Sequence, residues 1–413
     1  MITLALMITM AGSAKNLTLH PVWSASILPI GGMVLESPKG PIIFRDTQPT
    51  FESELYLASP VDGQHIWSHN HSSDNPSTGY MYNLGPSIVQ VGIRNGQGFI
   101  PDELHLISME DGRPKASQFI DDGYVGFDQK PFIVDGNAFF LAPSNKWIKV
   151  SHLWRVDGNA GTISEVKSFA DGSTETDPQL VRLLANKTIG FSRCVYRFDS
   201  AMRPKLVDLD DKELGRPRRI SLLEEKYILA DYESGHMSDQ EDEPTSTLPM
   251  SDTARVLYQL GAEGDTNRLW INRTVFKHGK DGFPTGIATS TPLAILDDTF
   301  AFKGRLYGLI MSPEELHGHR YGRKFIEFDT QGRILHTWPY EQITFDTSGS
   351  PWIADKGIGY ADTSGCLELH PIEDLTSTIT LPTKPGLRIS SLSIDPKRQE
   401  FALLQETELT VYR

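Results

Sequence analysis

Cysteine is nearly absent: Cys194 and Cys366 are the only two in 413 residues. Two thiols cannot staple a framework of this size, so they are read as free and buried, in different repeats of the fold. Long apolar runs are missing too. No stretch approaches the roughly 20 apolar residues of a membrane-spanning helix, which argues against membrane insertion. Positive charge is in deficit, with 39 Lys and Arg against 53 Asp and Glu and a formal net charge of -14. Such a field repels phosphate backbones and argues against nucleic acid as a partner. The chain also lacks Gly-x-Ser-x-Gly, a Gly-Lys-Ser/Thr phosphate loop, His-Glu-x-x-His and paired metal-binding cysteines. Serine-hydrolase, NTPase and zinc-protease chemistry lose their support with them. Sustained 3.6-residue periodicity, the mark of amphipathic helices, hardly occurs.

What the chain has is turns and short apolar runs. Its 35 Gly and 26 Pro are spread along the sequence, and hydrophobic residues make up 39%. One phrase recurs: a strand rich in Leu, Tyr or Trp, an Asp- or Gly-bearing turn, then a second short strand. It reads Glu54-Leu55-Tyr56-Leu57 before Asp62-Gly63, Glu103-Leu104-His105-Leu106 before Asp111-Gly112, and His152-Leu153-Trp154-Arg155 before Asp157-Gly158. Asp-Gly between alternating strands is a hairpin signal, because the turn needs residues that tolerate positive φ. Further copies start at Val195, Val256, Phe325, Leu367 and Leu409. From the starting positions 55, 104, 153, 195, 256, 325, 367 and 409 the spacings are 49, 49, 42, 61, 69, 42 and 42. Most match four-stranded propeller blades, at roughly 40 to 50 residues each.

Eight phrases predict an all-β chain, a single closed β-propeller over residues 17–413, with eight blades and seven as the alternative. The last phrase ends at Arg413 without an outer strand, whereas Leu17 to Trp23 is a spare strand with no blade before it. Pairing the two closes the ring and hides both edges. Residues 1–16 read either as a signal-like segment or as a first strand. The first reading places the protein in a secreted or periplasmic compartment, the second leaves the cytoplasm open. A monomer is expected.

Residues 135–167 carry Asp135-Gly136-Asn137-Ala138-Phe139-Phe140 and then His152-Leu153-Trp154-Arg155-Val156-Asp157-Gly158-Asn159. This blade resembles the bacterial propeller repeat containing Glu-Leu-Trp-x-x-Asp-Gly-Thr, with His152 in place of the Glu and Asn159 in place of the Thr. The resemblance covers one blade of about eight. It implies the fold, and the families that share it include binding scaffolds, glycan-active enzymes and lyases.

Three clusters hold candidate chemistry. His65-Ile66-Trp67-Ser68-His69-Asn70-His71 places His69 and His71 on one face of an extended segment. With Tyr80 and Arg94 they are the set a polysaccharide lyase needs: a cation to neutralise a uronate carboxylate, and Tyr or His to exchange protons. Imidazoles with a carboxylate such as Asp74 also suit a divalent metal, although no cofactor is required by any motif. A second cluster, His317, His319, Arg320 and Tyr321, is placed on a loop and reads as ligand-binding. The third, an acidic run from Asp239 to Glu243, reads as a solvated loop. The functional expectation is a binding propeller that holds a protein or glycan on its loop-rich face; the alternative is a glycan-active enzyme, a lyase using His69, His71, Tyr80 and Arg94.

Overall fold

The structure, a computed structural model, describes residues 16–26, 32–47, 52–71, 77–93, 101–119, 131–142, 150–170, 188–191, 194–198, 204–224, 226–233, 253–261, 264–278, 284–290, 296–311, 323–340, 342–356, 359 and 361–413. Among them every regular element is a strand. Eight sheets follow one another along the chain, and they are the blades of an eight-bladed β-propeller.

In chain order, β3 (Gly32–Ser37), β4 (Gly40–Thr47), β5 (Glu52–Ala58) and β6 (His65–His71) form one sheet. The next holds β7 (Ser77–Asn83), β8 (Ser87–Ile93), β9 (Pro101–Ser108) and β10 (Pro114–Phe119). It is followed by β11 (Phe132–Val134), β12 (Asn137–Ala142), β13 (Val150–Asp157) and β14 (Thr162–Ala170). A three-stranded sheet of β15 (Thr188–Gly190), β16 (Val195–Phe198) and β17 (Pro204–Leu206) comes fourth. The fifth has five strands: β18 (Arg219–Leu223), β19 (Tyr227–Glu233), β20 (Thr253–Leu260), β21 (Thr266–His278) and β22 (Pro284–Ser290). The sixth is β23 (Leu296–Phe302), β24 (Arg305–Met311), β25 (Arg323–Phe328) and β26 (Ile334–Trp338).

The last two sheets borrow from the start of the chain. β27 (Gln342–Phe345), β28 (Pro351–Ala354), β29 (Cys366–Pro371) and β30 (Thr378–Pro382) gain β1 (Asn16–Thr18), which runs parallel to β30. β31 (Ile389–Asp395), β32 (Glu400–Gln405) and β33 (Glu408–Tyr412) gain β2 (Pro21–Ser26), antiparallel to β33 with Trp23 opposite Val411. The spare strand predicted over Leu17 to Trp23 therefore divides. Leu19 is buried between the two sheets' strands and Pro21 opens the second strand, so the chain turns from one edge to the next.

Internal packing groups the chain into two compact units, Met1–Arg45 with Leu57–Ile66 and Pro339–Arg413, and Asp46–Tyr56 with Trp67–Trp338. In the first, β31 packs against both β3 and β27; in the second, β18 packs against β15 and β23. These are the leading strands of their sheets. Second strands are the most deeply enclosed. Every residue of β12, β28 and β32 is buried, which is why they read as continuous apolar runs. Fourth strands face solvent, as in β10 and β26.

Consecutive sheets are keyed by one device. The turn between third and fourth strands carries an Asp whose carboxylate caps following amides: Asp62 on Gln64 (3.2 Å), Asp111 on Arg113 (3.3 Å) and Asp329 on Gln331 (2.9 Å). Its glycine takes positive φ, +72° at Gly63 and Gly112. Against Gly63 lies the ring of Trp23, and against Gly112 that of Trp67, each from the fourth strand of the preceding sheet. A Cβ on Gly112 would stand 2.4 Å from Cε3 of Trp67. The two cysteines, Cys194 before β16 and Cys366 in β29, are not joined in a disulfide and are half-buried, where the sequence suggested full burial.

Gly304 isolates the backbone part of this effect, since its φ is +77° yet no atom lies within 4 Å of where a Cβ would be. Gly304→Ala should cost about 1 kcal/mol, and Gly112→Ala, which must also displace an indole, about 3 kcal/mol. Urea unfolding midpoints test the ordering, and equal costs would remove the ring contact from the account. Likewise, deleting the chain through Thr18 should lower Tm less than deleting it through Ser26, because only the second exposes β33 and removes the buried Trp23.

Candidate functional site

Three leading strands of successive sheets enclose a cavity of about 180 Å³. β11 contributes Phe132 and Ile133, β15 contributes Thr188 and Gly190 with Phe191 just beyond it, and β18 contributes Ile220 and Leu222. The recess exists because β15 is three residues long and ends in a glycine. A Cβ on Gly190 would lie 2.6 Å from Cβ of Leu222, so the two strands approach closely only without a side chain there. Ile133 is 44% exposed and stands at the open side, whereas Phe191 and Ile220 are buried. The buried Thr188 hydroxyl accepts a hydrogen bond from Arg197. Among the described residues that line the cavity, none has an ionisable side chain.

Of the residues singled out from the sequence, those that are described fall elsewhere. His69 and His71 lie on β6, the fourth strand of its sheet, where His69 is half-buried; the His71 side chain is outside the described residues. Tyr80 lies on β7, the leading strand of the next sheet, and is 42% exposed. Arg94, His317, His319, Arg320, Tyr321 and the acidic run from Asp239 to Glu243 are outside the described residues. Among the described residues no three His, Cys, Asp or Glu side chains converge as metal ligands would. Several described histidines are instead tied to carboxylates. His105 meets Glu103 at 3.1 Å, His152 meets Glu165 at 2.8 Å and His336 meets Glu327 at 3.0 Å. The cavity itself had no sequence signal, since its walls come from segments spread between Pro131 and Leu222 and share no motif.

Titration shifts also lie away from the cavity and mark structural fastenings. Burial would raise the Asp362 carboxyl, but hydrogen bonds from Lys356, Thr383 and the Ser364 amide outweigh it and hold the group at about 2. Asp355 goes the other way, pushed up chiefly by burial against one amide hydrogen bond from Glu368 (3.0 Å). Burial and the neighbouring Tyr258 hydroxyl, 2.8 Å away, raise Tyr232, which donates to the Leu209 carbonyl at 2.7 Å. That pair holds the segment before β18, which Arg268 also fastens through Asp211.

No family model matches the chain, and no curated protein does. Solved structures do. The C-terminal WD40 domain of Sif2 is 12% identical, with 97% of this chain and 99% of that one covered and a TM-score of 0.51. The Pan2 WD40 domain of Neurospora crassa is 8% identical over 95% and 94% of the two chains, with a TM-score of 0.45. A europium-containing methanol dehydrogenase is 10% identical over 95% and 93%, also at 0.45. The Sif2 likeness is one of fold.

Asp362 sets an acid-side expectation. Its folded value lies below the ordinary 3.8, so its stabilisation is present above 3.8 and is lost as pH falls through about 2. The Tm gap between the protein and Asp362→Asn should therefore narrow across that window. A gap that stays constant would mean the carboxylate charge contributes nothing.

Proposed function

We propose that the protein is a binding scaffold that holds a partner protein through an apolar side chain seated in the cavity between β11, β15 and β18. The single observation that carries this reading is the cavity's lining among the described residues: apolar side chains from three blades with an exposed rim at Ile133, the polar atoms being main-chain groups and the Thr188 hydroxyl. At about 180 Å³ it is of the size of one aliphatic side chain. A small, desolvated, apolar seat is the kind of place where binding energy concentrates in protein interfaces. A protein ligand is favoured over a glycan, because the lining side chains other than Thr188 are apolar and its remaining polar atoms are main-chain groups. The lyase alternative draws no support from His69 and Tyr80, which stand on a fourth strand and a leading strand.

Two measurements test it. In a methyl NMR titration with N-acetyl-leucinamide, the Ile133, Ile220 and Leu222 signals should shift together, and Ile133→Arg should abolish the shifts. Because Ile133 is already partly exposed, that change should alter stability by no more than about 0.5 kcal/mol. Uronate polysaccharides should yield no unsaturated product. Product formation, or shifts that miss the cavity, would overturn the reading.

A further inference from the structure

We infer that the outer edge of β26 is a docking site for an acidic, extended segment of a partner protein, which joins the sheet as a fifth strand. Among the described residues β26 pairs with β25 on one side only. The chain itself shows that a fourth strand can accept another: β30 is covered by β1, and β21 by β22. Added strands bind through main-chain hydrogen bonds, with specificity from the side chains.

Edge strands are ordinarily blunted by Lys, Pro or carboxylates. β10 carries Pro114 and Lys115, β14 carries Glu165 and Lys167, β17 carries Pro204 and Lys205, and β2 and β22 open on proline. β26 reads Ile-Leu-His-Thr-Trp, without any of these. Its Ile334 and Leu335 are 36% and 50% exposed, and a bulge at Leu335 turns that side chain outward. The strand is nonetheless anchored, for the Trp338 ring lies 5.4 Å from that of buried Phe325. β6 is also uncharged, but it has only Ile66 as an exposed aliphatic and exposed Asp62 in the turn before it.

Charge selects the occupant. The two carboxylates of the β25–β26 hairpin are withdrawn: Glu327 has a side chain 6% exposed, between Arg305 (3.4 Å) and His336 (3.0 Å). Asp329 is 15% exposed and paired with Arg333 at 2.6 Å. The cations face solvent, with Arg305 on β24 at 60% and Arg333 in the hairpin turn at 74%. Each guanidinium has five donors, so its internal partners leave others for a second carboxylate. On a chain of net charge -14 these guanidiniums put positive charge on the sheet that carries the apolar edge, with Arg333 next to it. A segment alternating acidic and aliphatic residues complements both features.

The test uses the full chain and fluorescein-labelled peptides followed by anisotropy. The probes are an alternating Glu/Val peptide, the same peptide with Ser for Glu, and the Glu/Val peptide N-methylated along one edge. The Glu/Val peptide should bind most tightly. Leu335→Glu should weaken it at least about tenfold, and Arg333→Gln should also weaken it, with circular dichroism and Tm unchanged. Ile133→Arg should leave it untouched, which separates this site from the cavity. Equal binding of the Ser or N-methylated peptide, indifference to both substitutions, or no binding at the highest soluble concentration would overturn the proposal. So would a dimer in light scattering that Leu335→Glu dissolves, because the edge would then belong to a second copy.

Discussion

The fold rests on an aromatic ring seated on a glycine. A four-stranded sheet alone has two apolar faces and two open edges, and gains stability only by stacking on neighbours. Trp23 over Gly63 and Trp67 over Gly112 set how one sheet meets the next. Trp270 of β21 lies over Gly332 of the following turn, and Lys115 of β10 takes the same place over Gly161. At Gly63 and Gly112 the glycine is needed twice, once for its positive φ and once because a Cβ would enter the space of the ring; at Gly332 the ring stands 3.4 Å from the Cβ position, and only the φ demands glycine. Among the three tryptophans ring contact is the common element, not hydrogen bonding. The Trp67 indole donates to the Met109 carbonyl at 3.0 Å, whereas the buried indole N–H groups of Trp23 and Trp270 have no partner. Removing such a ring costs about 3 to 5 kcal/mol where it is well packed.

This device also explains why the architecture could be read from the sequence. The recurring phrase is the third strand together with the turn that carries the seat. Of the eight phrases, seven coincide with third strands, from β5 to β33, and the eighth with β16 of the three-stranded sheet. The apolar segments ahead of them, such as Ala138 to Leu141 and Arg305 to Leu309, are the enclosed second strands. Asp and Gly are demanded by the turn's geometry, so they survive as a visible pattern. Leading strands leave no such mark: β11 and β15 have three residues each.

The site was illegible for the same reason. A cavity between leading strands needs a short strand, a missing Cβ at Gly190 and apolar residues from three separate segments, and none of these has a spacing. The histidine pair shows what spacing leaves open. His69 and His71 are two apart on β6 and share a face, as an extended segment requires, but spacing says nothing about a strand's rank within its sheet. Rank decides whether a polar side chain borders the leading-strand cavity or an outer edge, and β6 ranks fourth.

The described buried carboxylates act as structural fastenings. Glu400 is fully buried and held by Arg398 and Arg413, joining the chain end to β32. Asp346 caps its own turn and accepts the Trp352 indole N–H at 3.0 Å. Asp395 caps the Lys397 and Arg398 amides at 3.0 and 3.2 Å. Each of these carboxylates is buried with its donors in hand, which satisfies the desolvation it suffers and fixes a loop. A catalytic carboxylate needs the reverse: a buried group with capacity left over, facing a space that substrate can enter. The described residues that line the cavity between β11, β15 and β18 include no carboxylate. Exposed apolar side chains such as Ile133, Ile334 and Leu335 are of another kind. Apolar surface of that kind gains free energy by being covered, and supplies no proton to a reaction.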